Sequence, residues 1–492
     1  MNKTIFKQGQ VFGQWKLRSY LGGGGNGEVW KCLNKNGVHG AIKLLKSVNA
    51  KSYARFLDET KIIEENSDIQ GIIPILDKFL PNELKNNIPF FVMPVAQSVE
   101  KNLNGKSIEI KIDAILEICN TLRELHKRGI SHRDLKPANL LIYGSRYSIA
   151  DFGLVDYPDK KDISRQNEAI GAKWTIAPEM KRESHKADGQ KADIYSLAKT
   201  LWIILTENPK GFDGQYTTSS FLEFRYFYKD KYTTPIDKLL SISTDNDPNL
   251  RPNIDEFISI LEEWKKLNED FHRRNQEQWF EIQCKLFPTS FPTRVIWEDI
   301  NDIVNVLKVV CSYDNLNHMF FPDGGGSDLE DVRLSVENDC IELDFQSIKV
   351  VKPKRLIFES FNFDPEWNYF RLELNELEPS GVYKTEDVDG AYKTNPIQEF
   401  LSELYPGKYD KYEIVEHRFD YQEMGYQIPE SARHVTRFFR GAFVIFNKRS
   451  MYNRIATTYD GRHNKKDTEQ FRSYIQGTVD ILRERKNSLN LA

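Results

Sequence analysis

Apolar and polar positions follow two different periods along the first 270 residues of this chain. Four short runs rich in β-branched and aromatic residues are typical of β-strands, and they cover residues 11–19, 29–33, 71–79 and 88–95. Three other stretches carry apolar residues at helical spacing, and they cover residues 52–66, 112–125 and 192–205. The pattern therefore predicts a strand-rich segment over residues 1–95 and a helix-rich segment over residues 96–270.

The pattern changes after residue 270. Helical spacing continues to residue 287, and Pro288 and Pro292 then mark a boundary, because proline interrupts regular elements. Helices are expected at residues 300–311, 396–404 and 467–486, and strands at residues 331–336, 340–345, 354–361, 367–374 and 442–447. We expect a helical connector at residues 271–290, followed by an α+β domain with an antiparallel sheet at residues 291–492.

Charge is distributed unevenly over these segments. The whole chain carries a net charge of −4, which argues against a general nucleic-acid binder. Residues 271–430 carry a net charge of −15, whereas residues 431–492 carry +8. The two blocks can pair with each other, or the acidic block can meet a basic partner. Both interpretations stay open.

The cysteines and the apolar runs bear on the cellular compartment. Five scattered cysteines include no Cys-x-x-Cys pair, which argues against a zinc site and a disulfide framework. Reduced thiols are typical of the cytosol. No apolar run approaches the roughly 18–20 residues that cross a bilayer, and the N-terminus lacks the apolar core of a signal peptide. We therefore expect a soluble, cytoplasmic protein without membrane contact.

The densest cluster of chemically active residue types lies in SHRDLKPANLLIYGSRYSIADFG, from Ser131 to Gly153. Two apolar runs, residues 139–143 and 147–150, predict a hairpin that brings Asp134 and Asp151 to one edge. The order His-Arg-Asp-x-Lys-Pro-x-Asn, followed by Asp-Phe-Gly, resembles the catalytic core of Hanks-type protein kinases, and the motif set resembles their bacterial serine/threonine branch.

The resemblance implies transfer of a phosphoryl group from ATP to a hydroxyl, which depends on positioning and charge neutralisation. Asp134 would orient the attacking hydroxyl and accept its proton, and Lys136 would balance charge on the transferred group. Asn139 and Asp151 would hold Mg²⁺, a cation that prefers oxygen ligands. ATP and Mg²⁺ are the implied cofactors.

Motifs nearer the N-terminus fit the same family. A G-x-G-x-x-G run lies between two predicted strands, which favours a phosphate-covering loop over a dinucleotide fold. Lys43 would hold the ATP phosphates and pair with Glu59, 16 residues later on the next helix. Met93 would be the gatekeeper, and Ala96 would offer its N–H to adenine because Pro94 has none. The expected ATP-binding residues are Leu21, Gly22, Gly24, Gly27, Val29, Lys43, Glu59, Met93 and Ala96.

A polar stretch after Asp-Phe-Gly resembles the activation segment of the family. It ends in Ala177-Pro178-Glu179, and Ser164 and Thr175 are its candidate phosphate acceptors. An arginine before the catalytic aspartate, here Arg133, can pair with such a phosphate. Ala172 departs from the family pattern, which has a threonine that helps to brace the catalytic aspartate and lysine.

Two structural contacts follow from the same resemblance, which spans residues 11–267. Asp193 would brace the backbone of the catalytic loop, and Arg251 would pair with Glu179. The expected fold is therefore an α+β, bilobal protein kinase fold. Its β-rich N-lobe would cover residues 1–95, and its α-rich C-lobe would cover residues 96–270.

Residues 291–492 show no recognisable catalytic constellation. His318 with Asp323 has the residue types of a metal pair, but a loop histidine beside an acidic turn is the preferred interpretation. The segment from Tyr459 to His463 has the composition of an anion site, and a plain turn is again preferred. We expect a regulatory or interaction domain.

The sequence thus predicts an ATP- and Mg²⁺-dependent serine/threonine protein kinase that phosphorylates protein substrates and itself, in bacterial signalling, stress or defence. The preference for serine and threonine depends on Lys136. Two alternatives from other classes stay open: a kinase that acts on small molecules, and a pseudokinase scaffold that acts through its C-terminal domain. Homodimerisation also stays open.

Overall fold

The computed structural model describes all residues except 1–4, 24–26, 47–48, 85–86, 159–173, 183–185, 219, 230, 314, 322–325, 346, 362–363, 378–384, 389–390, 395–396, 402–408, 414–433, 439–440, 447–465 and 491–492. The chain divides into two compact units. The first comprises residues 1–228 and 233–266, and the second comprises residues 229–232 and 267–492. The four-part division expected from the sequence stays a prediction.

A six-stranded antiparallel sheet begins the first unit. Its strands are β1 (Val11–Phe12), β2 (Trp15–Gly23), β3 (Gly27–Asn34), β4 (His39–Leu45), β5 (Asp77–Phe79) and β6 (Phe90–Met93), in the order β1-β2-β3-β4-β6-β5. Trp15, Leu17 and Ile42 belong to its buried core. The predicted strand at residues 11–19 is interrupted at Gly13, whose φ of 57° suits glycine, so that the segment forms a hairpin.

The predicted strand at residues 71–79 is wrong over most of its length, because only Asp77–Phe79 is a strand. Pro74 has no N–H to donate to a ladder. Upstream of it, Ile72 pairs only in an isolated bridge with Ile149. This stretch is nevertheless buried at Ile72, which explains the apolar pattern that suggested a strand.

Helix α1 (Ala50–Glu65) confirms the helix predicted at residues 52–66. The Asn49 side chain caps it by accepting a hydrogen bond from the backbone N–H of Ser52. Phe56 is buried and its ring lies 5.1 Å from the ring of Phe91 on β6. The same buried face of α1 carries Glu59, and the helix thereby brings a carboxylate to the sheet.

Helices dominate the rest of the first unit. The elements are β7 (Gln97–Ser98), α2 (Val99–Leu103), α3 (Ile108–Lys127), β8 (Leu140–Tyr143), β9 (Arg146–Ile149), α4 (Pro178–Arg182), α5 (Gly189–Thr206), α6 (Thr234–Ser243) and α7 (Ile254–Glu269). Strands β7, β8 and β9 form a small antiparallel sheet. Every residue from Ala192 to Leu205 on α5 is buried, including the charged Asp193 and Lys199, so this stretch of α5 lies within the core of the unit.

The second unit contains two six-stranded sheets. It begins with α8 (Phe271–Leu286), β10 (Arg294–Trp297), α9 (Ile300–Cys311), β11 (His318–Phe320), β12 (Gly326–Asp328), β13 (Asp331–Leu334), β14 (Ile341–Asp344), β15 (Ile348–Val351), β16 (Pro353–Glu359) and β17 (Tyr369–Leu374). It continues with β18 (Thr385–Val388), β19 (Ala391–Thr394), β20 (Ile397–Leu401), β21 (Tyr409–Glu413), β22 (His434–Phe438), β23 (Ala442–Phe446) and α10 (Thr468–Asn490).

The two sheets differ in their strand directions. One has the order β10-β16-β17-β23-β11-β12 and is antiparallel, as predicted. The other has the order β13-β14-β15-β22-β20-β21, and its β15–β22 pair is parallel. The predicted helix at residues 396–404 is wrong, because residues 397–401 form β20 between β21 and β22. Pairing with these neighbours outweighs local helix propensity.

Other predictions for this unit are confirmed with small changes of boundary. Helix α9 has the predicted bounds, and α10 extends the helix predicted at residues 467–486. His318 pairs with Asp328, its Nδ1 lying 2.8 Å from Oδ1, whereas Asp323 and the segment from Tyr459 to His463 lie outside the described residues. None of the described helices combines the length and the apolar character needed to cross a membrane.

Candidate active site

The backbone of the predicted catalytic loop is hydrogen-bonded to the buried carboxylate of Asp193 on α5. Oδ2 of Asp193 accepts a hydrogen bond from the backbone N–H of His132, and Oδ1 accepts one from the backbone N–H of Arg133, both at 2.7 Å. Nε2 of His126 lies 3.0 Å from Oδ2. Because Asp193 is fully buried on the central helix, the loop is tied to a rigid element. The bracing role predicted for Asp193 is confirmed as a contact.

Two residues at this site have unusual backbone conformations. Arg133 has a φ of 64° and Asp151 a φ of 65°, both in the left-handed region. Such a conformation costs a residue other than glycine about 1–3 kcal/mol, and it persists only when its surroundings impose it. At Arg133 the bond to Asp193 does so, and at Asp151 an ion pair with Lys43 does so.

Asp134 is held on one side only. Its Oδ2 accepts hydrogen bonds from Nζ of Lys136 at 2.6 Å and from Nδ2 of Asn139 at 3.1 Å. Its Oδ1 is buried and has no hydrogen-bond partner among the described residues. A buried carboxylate oxygen without a partner is costly, unless a ligand completes its bonding. The Asp134 carboxylate is thus fixed in orientation through Oδ2 by Lys136 and Asn139.

A hairpin brings the second acidic residue to the same place. Strands β8 and β9 pair along their length, and the backbone N–H of Ala150 donates to the carbonyl of Asn139 at 2.9 Å. Nε2 of His132 lies 3.1 Å from the carbonyl oxygen of Ala150. The Phe152 ring is buried and lies 5.0 Å from the His132 ring. The predicted meeting of the catalytic loop with Asp-Phe-Gly is therefore present.

Lys43 links three elements through its ammonium group. Nζ lies 2.6 and 2.8 Å from the two carboxylate oxygens of Glu59 on α1, and 2.7 Å from Oδ1 of Asp151. The side chains of Lys43 and Glu59 are 11% and 3% exposed, whereas that of Asp151 is 44% exposed. Asp151 is therefore the member of this group that faces solvent and an incoming ligand.

Burial and charge shift the pKa values of this group in different directions. Burial raises the pKa of Glu59 to about 7, against the opposing effect of Lys43. The positive charge of Lys43 lowers the pKa of Asp151 to about 2, and this effect exceeds that of burial. Burial would lower the pKa of Lys43, but the charges of Asp151 and Glu59 together raise it. Lys43 is thus protonated and Asp151 ionised at neutral pH.

The donor set at this site fits Mg²⁺. The Asn139 amide donates through Nδ2 to the carbonyl of Asp134 at 2.8 Å, so its Oδ1 is the atom left to act as a ligand. The ionised carboxylate of Asp151 supplies a second hard oxygen. The described residues include no group of three or more His, Cys, Asp or Glu side chains that could hold a metal. Mg²⁺ in such a site completes its shell with phosphate oxygens and water.

The glycine-rich turn joins β2 and β3. Gly22 pairs with Val29 across this hairpin, and Gly27 pairs with Leu45 on β4. A Cβ atom at Gly27 would lie only 2.9 Å from the carbonyl oxygen of Leu44, so the close approach of β3 to β4 requires glycine here. Leu21 is half exposed near the open end of β2. Gly24 lies outside the described residues.

Two further candidate ATP-binding residues lie at and after the end of β6, and one carboxylate that the sequence reasoning missed lies beside the glycine-rich turn. Met93 ends β6 and pairs with Ala41, and Ala96 follows directly before β7; both are half-buried. Glu28 was not singled out from the sequence, yet it is fully buried. It accepts hydrogen bonds from the backbone N–H of Ile5 at 2.8 Å and from the Trp30 indole at 3.0 Å. The segment that precedes β1 is thereby attached to the glycine-rich hairpin.

The activation segment shows one expected contact, one contact that was not expected and one candidate phosphate acceptor that is buried. Arg251 donates to both carboxylate oxygens of Glu179, at 2.6 and 2.9 Å, as predicted. Arg133 forms an ion pair with Asp156, which the sequence reasoning missed. Thr175, a candidate phosphate acceptor, is only 2% exposed. The other acceptor, Ser164, and the unusual Ala172 both lie outside the described residues.

This fold and this set of contacts have known counterparts. A family model described as "Protein kinase domain" matches residues 15–274, more than half of the chain. The chain belongs to the protein kinase domain family.

Three relatives illustrate the range of similarity. Serine/threonine-protein kinase PknA of Mycobacterium tuberculosis is 26% identical over 266 residues, which cover 50% of this chain and 56% of the relative. Serine/threonine-protein kinase 10 of Danio rerio is 31% identical over 197 residues, which cover 38% of this chain and 20% of the relative. Cyclin-dependent kinase F-4 of Oryza sativa subsp. japonica is 26% identical over 202 residues, which cover 40% and 42%. The chain spans from a fifth to just over half of the length of these curated relatives.

Proposed function

We propose that this protein is a serine/threonine protein kinase that transfers the γ-phosphoryl group of ATP to protein hydroxyls, its own included. The observation that supports this proposal most directly is the position of Asp134, whose carboxylate is held through Oδ2 by Lys136 and Asn139. This arrangement suits a group that orients a hydroxyl and receives its proton.

The chain's own residues account for the steps of such a transfer. Lys43, held between Glu59 and Asp151, would bind the phosphates of ATP nearest the ribose. Lys136 would neutralise charge on the transferred group next to Asp134. Mg²⁺, when bound by Asn139 and Asp151, would supply charge neutralisation at the bridging phosphate oxygens. The glycine-rich turn would cover the phosphates with its backbone.

The choice of serine and threonine depends on Lys136. Its ammonium group lies 2.6 Å from the Asp134 carboxylate, where it would add positive charge beside the acceptor hydroxyl. Two of the matched relatives, PknA and kinase 10, are named as serine/threonine-protein kinases. We further propose that the kinase acts on protein substrates, belongs to the bacterial Hanks-type branch, and works in the cytoplasm without binding nucleic acid.

Two alternative functions, a small-molecule kinase and a pseudokinase scaffold, fit these structural features less well. A kinase acting on small molecules would not need a peptide-docking segment. The Arg251–Glu179 ion pair anchors such a segment here and therefore favours a protein substrate. A pseudokinase scaffold has no need for the joint geometry of Lys43, Glu59 and Asp151.

Acceptor libraries separate these possibilities. The purified protein is incubated with Mg²⁺, γ-labelled ATP and peptide pools that contain serine, threonine or tyrosine as the sole hydroxyl acceptor, in parallel with a panel of small alcohols. Label on serine and threonine peptides is expected. Label on small alcohols alone would indicate a small-molecule kinase, and ATP binding without any transfer would indicate a pseudokinase.

Lys136→Met and Lys127→Met provide a matched pair for the same assay. Both remove one lysine from an ion pair with a carboxylate, but Lys127 is 58% exposed on α3 and bonds only Glu124 among the described residues. Lys136→Met should lower kcat, whereas Lys127→Met should match the wild type. Equal activity of both variants would contradict the role given to Lys136.

The second unit is proposed to regulate the kinase or to recruit a partner. It has its own apolar core, which includes Trp279, Leu307 and Phe358. Helix α10 is attached to this core by an ion pair between Arg472 and the fully buried Glu359. Its opposed charge blocks and the absence of a metal-binding group among its described residues fit a binding role better than a chemical one.

A further inference from the structure

The residues directly after Asp-Phe-Gly are fastened to the catalytic loop by their backbone. Asp156 donates its N–H to the carbonyl of Ser131 at 2.8 Å, and Ser131 donates its N–H to the carbonyl of Asp156 at 2.9 Å. This two-bond bridge lies two residues before Arg133 and three before Asp134. The position of Asp156 is therefore coupled directly to the loop that carries the catalytic carboxylate.

The Asp156 side chain makes a second attachment. Its carboxylate accepts a hydrogen bond from a terminal nitrogen of Arg133, and the two side chains are 37% and 12% exposed. The Arg133 backbone is itself held in the left-handed region by Asp193. A charge-assisted bond of this kind fixes the orientation of the guanidinium. Asp156 thereby neutralises the arginine that immediately precedes Asp134.

The next residue reaches the helix that carries Glu59. The hydroxyl of Tyr157 donates to Oδ1 of Asp58 on α1 at 2.7 Å. Nζ of Lys61, also on α1, lies 5.0 Å from the centre of the Tyr157 ring, within the range of a cation–π interaction. Asp58 is adjacent to Glu59, so the bond from Tyr157 restrains the turn of α1 that aims Glu59 at Lys43.

We propose that Asp156 and Tyr157 are positioning residues that hold the catalytic loop and α1 in the phosphate-transferring arrangement without a phosphate on the activation segment. The proposal rests on the kinase activity proposed above and specifies its regulation. It replaces the expectation that Arg133 awaits a phosphate, because the guanidinium already has a carboxylate partner.

The negative charge of Asp156 beside Arg133 favours an arrangement that does not depend on a phosphate. A phosphate carries about −1.5 to −2 charges at neutral pH and binds where arginine or lysine charges converge. Here an incoming phosphate would meet the negative charge of Asp156 beside Arg133. It would also have to approach beside a carboxylate that is already attached through its own backbone to Ser131. The built-in carboxylate therefore supplies the contact that a modified residue would otherwise make.

The first test is phosphatase treatment of the full-length wild-type protein. Mass spectrometry verifies removal of phosphate from the segment between Leu154 and Ile176, and initial rates are then measured on a serine peptide. Unchanged initial rates are expected. A loss of tenfold or more that returns on rephosphorylation of this segment would overturn the proposal while leaving the kinase activity established. Inactivity of the wild type in every state would instead refute the proposed function itself.

The second test uses three variants and separates positioning from folding. Asp156→Asn keeps the shape but removes the charge, and it should lower kcat by about tenfold or more with little change in the KM for ATP. Asp156→Glu should restore part of the loss. Tyr157→Phe removes the bond to Asp58 and keeps the ring beside Lys61, and it should cost a smaller factor in kcat.

Asp68→Asn is the matched control, because Asp68 forms an ion pair with Arg128 on the same unit, and its side chain is 66% exposed. It should behave as the wild type. Wild-type kcat in both Asp156→Asn and Tyr157→Phe would overturn the proposal. So would an equal loss in Asp156→Asn and Asp156→Glu. If Asp156→Asn does not fold, the phosphatase result on the wild type decides.

Discussion

Nζ of Lys43 lies 2.7 Å from Oδ1 of Asp151, although 108 residues separate them along the chain. The same ammonium group binds both carboxylate oxygens of Glu59. One lysine therefore connects the sheet, helix α1 and the residue that follows the β8–β9 hairpin. This arrangement holds the carboxylate proposed to bind Mg²⁺ against the lysine proposed to bind the ATP phosphates.

The buried Glu59 should make stability depend on pH. Its pKa is raised to about 7 by burial, whereas an unfolded glutamate has a pKa of about 4.3. Since the folded state binds this proton more tightly, the free energy of unfolding should fall as the pH rises from the unfolded to the folded value. Glu59→Gln should flatten that dependence in urea unfolding of the ATP-free protein.

Glu65→Gln is the control for this measurement, because Glu65 lies on the same helix with its side chain 58% exposed. It should leave the pH dependence of the wild type intact. A pH dependence that is identical in Glu59→Gln and in the wild type would show that Glu59 is not the group responsible.

Loss of the buried ion pair between Arg251 and Glu179 should lower the free energy of unfolding substantially. The Arg251 side chain is fully buried and bonds both oxygens of Glu179. Arg251→Met would leave a largely buried carboxylate without its partner, which commonly costs about 3–5 kcal/mol. Arg128→Met, at the exposed pair with Asp68, should show a much smaller loss. Similar urea midpoints for both variants would contradict this reading.

The N-terminal segment should influence ATP binding through Glu28. The Glu28 carboxylate joins the backbone of Ile5 to the Trp30 indole beside the glycine-rich hairpin. Glu28→Gln should therefore raise the KM for ATP more than it lowers kcat. Asp77→Asn is the matched control, because Asp77 accepts from the indole of Trp15, which pairs with Asn34 at the end of the β2–β3 hairpin away from the glycine-rich turn. Equal KM values for the two variants would refute this role.

The second unit should change the output of the kinase and leave nucleotide binding intact. A shortened chain should end at residue 270, because Asn268 accepts from the backbone N–H of Tyr232 and must be kept. Such a chain should bind ATP as the full-length protein does but differ in rate or in substrate choice. The comparison is made at two salt concentrations, since exposed charge contacts are screened over about 8–10 Å. Identical rates, substrates and phosphosites would remove the regulatory role.

Local patterns and family motifs predicted much of this structure. Helical spacing located α1 and gave the bounds of α9, because each helix must bury one apolar face. The motifs located the Lys43–Glu59 and Arg251–Glu179 pairs, whose partners are 16 and 72 residues apart. Such pairs follow from the resemblance, since spacing alone does not place distant residues in contact.

The remaining features depend on contacts that no local pattern shows. Strand β20 exists because β21 and β22 supply its hydrogen bonds. The ion pair between Arg133 and Asp156 depends on a left-handed backbone at Arg133, and Asp193 imposes that conformation from 60 residues away. The Glu28 carboxylate accepts a hydrogen bond from Ile5, 23 residues earlier in the chain. In each case a distant partner decides the structure.

Transfer from γ-labelled ATP by Asp134→Asn tests the central claim most directly. The substitution keeps the size of the side chain but removes the negative charge that would let it receive the proton. It should lower kcat on a serine peptide by about 10²–10⁴-fold while ATP affinity stays near that of the wild type. Lys43→Ala should lose activity with weaker ATP binding. Wild-type turnover in Asp134→Asn would contradict the account.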